Sequence, residues 1–230
     1  MRKKIKTILP TLTACLLVAG LAIGSTSAYM TGSSGKVNTF TVGEVKIDQY
    51  EPGFQSNNPP LQPHQEVTKD PKVKNIGENA AIVFMEVESP VGNVNLVNSA
   101  GKMEKPAVVD LFYFKQMEDA ITTHENNWDS DWKLLYEHES DEEGKASKYT
   151  FAYYKLLEVN EETSSVFDKV QLKSFLEGQI SSDVAQQIIV KSYAIQATDI
   201  YSEGADLTKE LSEDHLKEIY QIYLNQSSAY

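Results

Sequence analysis

The sequence predicts an all-β fold: a jelly-roll-like β-sandwich with a C-terminal amphipathic helix and short helical insertions. Three observations carry that expectation. About eight short runs rich in β-branched and aromatic residues are separated by stretches bearing Gly, Pro, Asn and Asp. The connections between the runs are long, which favours jelly-roll or Greek-key wiring over a meander. Only the tail of the chain changes from a two-residue to a helical period.

The elements follow in chain order. Residues 1–28 read as a signal peptide. Arg2, Lys3, Lys4 and Lys6 form a charged start, residues 7–24 an apolar stretch, and Ser25-Thr26-Ser27-Ala28 supplies the small side chains a signal peptidase accepts. The cut is expected between Ala28 and Tyr29, leaving 202 of the 230 residues. An uncleaved anchor is the weaker reading, because the run is at the short limit for a span and contains Pro10 and Gly20. Lipidation at Cys15 is disfavoured because Leu16-Leu17-Val18-Ala19 continues the apolar run past it. Residues 29–205 are then expected to form the sandwich, and 206–230 the helix packed on it.

After a Gly/Ser/Thr-rich lead, two alternating runs occur. In residues 37–42, Val37, Thr39 and Thr41 share one face, with Phe40 and Val42 on the other. In residues 45–48, Val45 and Ile47 share a face. Residues 51–63, with four prolines, read as a surface connection. Residues 66–75 and 80–88 read as two paired strands about the turn Asn75-Ile76-Gly77-Glu78-Asn79. The second begins apolar on both faces, as a central strand does, and ends wet at Glu86 and Glu88. Residues 90–105 read as an excursion. Further strands are expected at 108–114, around Trp132 to Tyr136, at 149–154 and at 166–172, with a short helical turn within 174–183.

Residues 186–198 are the longest strand candidate, and Lys191 marks an edge or an exposed end. Leu216, Ile219, Tyr220, Tyr223 and Leu224 then recur at three and four residues, one stripe of a helix. Ser212 is placed to cap it, and Glu213 and Asp214 fall where the helix dipole favours anions. Leu211 and Leu216 have the spacing of a hydrophobic staple.

Charge narrows the partners. Four of the 21 Lys and Arg lie in the leader, and all 33 Asp and Glu lie beyond it. The exported chain therefore carries 17 basic against 33 acidic residues, a balance of −16. That repels nucleic-acid phosphates and anionic lipid, so nucleic acid is not expected as a partner, and the membrane is met only through the leader. Cys15 is the single cysteine and leaves with the leader, so no disulfide staples the fold.

No catalytic, cofactor-binding or metal-binding residue is assigned. His64, His124, His138 and His215 include no HExxH pair: Trp128 stands where His124-Glu125 would need a second imidazole, and Glu142 stands there for His138-Glu139. No GxSxG elbow, Walker loop or Gly-rich dinucleotide turn occurs. Asp129-Ser130-Asp131 and Asp141-Glu142-Glu143 lack EF-hand spacing and read as solvated acidic loops. Trp128, Trp132, Tyr153 and Tyr154 are expected in the core rather than on a carbohydrate platform.

The leader ending in Ser-Ala, then Tyr29-Met30-Thr31 and Val37-Asn38-Thr39-Phe40-Thr41-Val42-Gly43, resembles the TasA/camelysin family of SipW-dependent signal-peptide proteins of Gram-positive bacteria. Residues 69–83, 162–170 and 189–197 resemble the same family. The resemblance implies a jelly-roll sandwich and a dedicated signal peptidase. It further implies a secreted or cell-surface structural subunit of a biofilm matrix, its chief partner being further copies of itself, with other matrix components as additional partners. In TasA-like members one subunit's N-terminal strand completes the next subunit's sheet. The stretch matching that donor strand here is Tyr29 to Val42, its expected anchors being Val37, Thr39 and Thr41 or, on the other face, Phe40 and Val42; in the isolated monomer the same strand is expected to pair within its own sandwich. Camelysin, described as a surface metalloprotease, supplies the enzymatic alternative. A carbohydrate- or host-binding module is the third reading. This chain departs from TasA in its longer middle excursions and its terminal helix.

Overall fold

The computed structural model describes residues 45–55, 61–98, 100–180, 186–197 and 211–227. The leader and the candidate donor strand lie outside them. Ten strands and one helix are present among the described residues, so the all-β class with a C-terminal helix holds. The strands are β1 (Ile47–Tyr50), β2 (Glu66–Thr68), β3 (Lys72–Asn75), β4 (Ala81–Val94), β5 (Ala107–Asp110), β6 (Phe112–Lys115), β7 (Trp132–His138), β8 (Ala146–Tyr153), β9 (Lys169–Leu172) and β10 (Ile189–Gln196). The helix, α1, spans Glu213–Ser227.

All pairing is antiparallel. The large sheet runs β10-β4-β8-β7, with β5 on the far half of β4. A second sheet runs β2-β9-β6, and β1 pairs with β3 in a two-stranded ribbon. The chain passes between sheets at Leu111, whose N–H donates to the Pro90 carbonyl while its own carbonyl accepts from Lys173 N–H, both at about 3 Å.

β4 organises the molecule. Its first five residues are all buried, because both faces of the large sheet are covered. Val83, Met85 and Val87 enter the main core with Tyr149, Phe151, Phe112 and Phe114. Ile82 and Phe84 face the other way, into a second core with Leu211, Leu216, Ile219, Tyr220 and Tyr223. The main core is aromatic. Trp128 lies 5.0 Å from Phe114 and 4.8 Å from Phe151, ring centre to ring centre. Trp128, Trp132 and Tyr153 are thus packed inward and form no exposed platform.

α1 starts as the sequence predicts. His215 N–H reaches Ser212 Oγ at 3.3 Å, the Leu211 and Leu216 staple is buried, and Leu211 N–H donates to Tyr154 O at 2.9 Å. Of the expected stripe, only Leu224 is exposed.

Four expectations are corrected. Residues 66–75 and 80–88 do not form a hairpin. The first stretch breaks into β2 and β3, which belong to different sheets, and β3 pairs with β1. Pro71 lacks the N–H a continuous strand would need. The Asn75 amide, fully buried, donates to Asn79 O and Leu157 O and turns the chain away from β3.

Residues 90–94 belong to β4 rather than to an excursion. At 14 residues β4, not the 186–198 stretch, is the longest strand. Pro90 is tolerated where the ladder changes partner, opposite Ala146 and just before the β5 pairing begins. Finally, no helical turn occurs between Ser174 and Ile180: Phe175 bridges to Leu96, and Gly178 takes a φ of 83°. Residues 181–183 of that stretch lie outside the described residues.

Gly92 marks where two layers meet most closely. A Cβ there would lie 2.7 Å from Ile180 Cδ1 and 3.0 Å from Leu111 Cδ2. Gly92→Ala is expected to destabilise by about 1–3 kcal/mol through overpacking. Urea unfolding would measure it, and an unchanged midpoint would contradict the packing argument.

Candidate functional site

The features with the most functional content are the two lateral edges of the large sheet. At one edge, β10 lies beside β1 without a backbone ladder. The Gln49 side chain fills the seam instead: its amide nitrogen donates to Val190 O at 3.1 Å, and its oxygen accepts from Ser192 Oγ at 2.7 Å. One carboxamide thus stands in for a peptide unit. The ribbon's other side is closed, since Thr163 N–H donates to Val73 O and Asn75 N–H to Glu161 O, each at 2.9 Å.

Along the same edge, Lys191 bonds Glu88 at 2.7 Å. That hydrogen bond holds the Glu88 carboxyl below its ordinary range against the opposing effect of burial. The sequence expectation that Lys191 marks an edge is met, because β10 pairs only with β4 among the described residues.

The opposite edge is β7. It is seven residues long and pairs only with β8 among the described residues. Its register shifts between Leu134 and Tyr136, and Lys133, Tyr136, Glu137 and His138 are exposed. A bulge and charges are the ordinary means of discouraging accidental pairing at an open edge. The outer edge of β6 is plugged instead. Phe114 N–H donates to Asn126 Oδ1 at 3.0 Å, and Phe114 O accepts from Asn127 N–H at 2.8 Å.

A second site lies on the outer face of β9, where polar side chains are buried. Lys115 and Lys169 face each other across the β6–β9 ladder and share Glu66, at 3.5 Å and 3.1 Å. Lys115 Nζ also donates to Ala120 O at 2.7 Å, and Lys169 Nζ to Asp119 O at 2.9 Å. Gln171 Nε2 donates to both His64 O and Ile121 O. These groups fix the backbone of the 116–127 loop over the strand.

The sequence-predicted site residues divide as follows. Ala28, Tyr29, Val37, Thr39, Phe40, Thr41 and Val42 lie outside the described residues; the described chain begins at Val45, just before β1. His138 lies on the β7 edge and His215 in the first turn of α1, whereas His64 and His124 lie 6.1 Å apart, ring centre to ring centre. Asp129 is occupied in local structure, accepting from Ser164 Oγ at 2.7 Å and Asp131 N–H at 2.9 Å. Among the described residues no three His, Cys, Asp or Glu side chains converge on a common point.

Sequence reasoning missed Gln49, Lys115, Lys169 and Gln171. The available signal was Lys169-Val170-Gln171-Leu172: in a strand, the two polar residues must share one face, and a loop must cover it. It also missed Asp110, buried and bonded by the Tyr149 hydroxyl, an arrangement that with burial pushes the Tyr149 phenol up. Comparison of the chain with models of protein families, with curated proteins and with solved structures returned no match.

Proposed function

We propose that this protein is a secreted structural subunit of the bacterial cell surface or biofilm matrix, assembling with copies of itself through exchange of its N-terminal strand. The supporting observation is the asymmetry of the large sheet. The chain enters the described fold at β1, beside the β10 edge, while β7, at the other end of the β10-β4-β8-β7 order, has an outer side with no strand partner among the described residues. A donor leaving one end and an acceptor at the opposite end make a head-to-tail contact. Such heterologous contacts propagate into filaments rather than closing as dimers. An added strand supplies main-chain hydrogen bonds, and alternate side chains such as Val37, Thr39 and Thr41 supply register.

The leader's sequence motivates export, with cleavage at Ala28–Tyr29 freeing the donor strand. The bulge and charges of β7 keep folded copies apart until a matching strand arrives.

A thiol-free chain beyond residue 15 makes the test direct. Chains beginning at Tyr29 and carrying either Thr39→Cys or Glu137→Cys are mixed and oxidised. Fibres seen by electron microscopy, with disulfides joining the two variants, are the expected result. Deleting residues 29–42 is expected to leave folded monomers. Normal polymerisation of that truncated chain would refute strand donation, and cross-linking absent from intact fibres would exclude β7 as the acceptor.

A further inference from the structure

We infer that His64 and His124 form a two-imidazole binding site for a late first-row divalent cation of the zinc and copper class. Neither the fold nor the assembly proposed above requires these two rings to meet. They come from loops about 60 positions apart in the chain and lie 6.1 Å apart between centres, with planes at 87°. Metal–nitrogen bonds of about 2.0–2.1 Å put two imidazoles on one tetrahedral ion with ring centres about 5 Å apart. The separation seen is close enough for small side-chain rotations to close it, and His64 is exposed and free to make them.

His64 occupies a costly backbone position. Gln65 N–H donates to Gln62 O at 2.9 Å, closing a turn with Pro63 second and His64 third. His64 takes a φ of 66° there, one of two non-glycine residues with positive φ among those described. Glycine or asparagine ordinarily fills that place, so a histidine there carries local strain.

Its backbone is also clamped on both sides. His64 N–H donates to Leu172 O at 2.9 Å, and His64 O accepts from Gln171 Nε2 at 3.1 Å. The same buried amide donates to Ile121 O at 2.8 Å, three residues before His124. One side chain therefore sets the two loops against each other. Lys115 and Lys169 hold carbonyls of residues 120 and 119 in the second loop, and Thr123 N–H closes on Ala120 O at 3.0 Å. Two ligands on loops braced against each other by buried hydrogen bonds are what a preorganised ligand pair requires.

The ligand type selects the ion. Glu66, the acid beneath this loop, is already shared by Lys115 and Lys169, and Lys173 Nζ sits 4.5 Å over the Tyr113 ring that borders His124. A pair of imidazole nitrogens suits zinc or copper rather than the oxygen-seeking calcium or magnesium, and the lysines nearby lower the affinity for any cation. With two protein ligands, water completes the shell.

The test is a titration of zinc chloride into the chain beginning at Tyr29, without a histidine tag and kept dilute and unassembled, followed by NMR of the four histidine rings. The His64 and His124 resonances are expected to shift together and saturate at one equivalent, while those of His138 and His215 lag. His64→Gly, which suits the positive φ and so keeps the fold, is expected to weaken the zinc response of His124 at least tenfold. The proposal is overturned if all four rings respond independently at one weak affinity, or if His124 responds equally in His64→Gly.

Discussion

Replacing Phe84 by alanine is expected to cost about 3–5 kcal/mol, the largest loss of any single substitution considered for this chain. Phe84 is fully buried in the first half of β4, paired with Tyr193 on one side and Ala152 on the other. Its ring lies 5.0 Å from Tyr220 and 6.1 Å from Tyr223, so it is one of the main contacts between α1 and the sheet, beside Ile82, Leu135 and Ile195. Truncation opens a void between two rigid layers, and β4, hydrogen-bonded along both sides, cannot shift to fill it. Because α1 buries its stripe only against this small core, the helix should loosen before the sandwich does. Equilibrium unfolding in urea gives the total loss, and amide exchange of residues 213–227 reports the local one. A loss under about 1 kcal/mol would mean that the helix is not held by this contact.

Alkaline unfolding is the second large effect expected. Burial, reinforced by the hydrogen bond to Asp110, raises the Tyr149 phenol. Burial, with the Glu86 carboxylate beside it, raises Tyr193. Burial also raises Tyr220 and pushes Tyr223 up to about 12. A phenol raised on folding contributes stability that is complete below its unfolded value of 10.0. Above that pH the unfolded chain sheds its protons and the folded chain does not, so stability falls until the folded phenol ionises too.

Each such tyrosine contributes a slope of up to about 1.4 kcal/mol per pH unit through that window. Acting together they erode stability steeply above pH 10, by an amount that can reach the few kcal/mol to about 15 kcal/mol of an ordinary domain. Absorbance at 295 nm is expected to show these phenols ionising in step with the loss of circular dichroism. Ordinary titration near pH 10 in a chain still folded would contradict their burial.

The legible parts of the structure were those set by local pattern. The helix was readable residue by residue because its cap, acidic first turn and apolar stripe are all written within one short segment. β4 was readable as central because only a strand covered on both faces can begin Ala81-Ile82-Val83-Phe84-Met85. Pairing was not readable in the same way. Asn75-Ile76-Gly77-Glu78-Asn79 has the composition of a hairpin turn. Whether it makes one depended on Asn75 finding Leu157, 82 positions away, and on Pro71 dividing the strand before it. The His64–His124 pair was equally hidden, because a buried glutamine from a third segment brings the two loops together.

The sequence alone determined the β class, the helix and its buried stripe, the acidic charge balance and the absence of any cysteine beyond residue 15. Each follows from composition or from a period of two or three to four residues. Tertiary structure alone decided which strands pair, where the sheet is left open and which polar side chains are buried beneath loops. Those outcomes are contacts between residues far apart in the chain, and their energies depend on how closely whole layers approach. No window of sequence short enough to show periodicity contains both partners of such a contact.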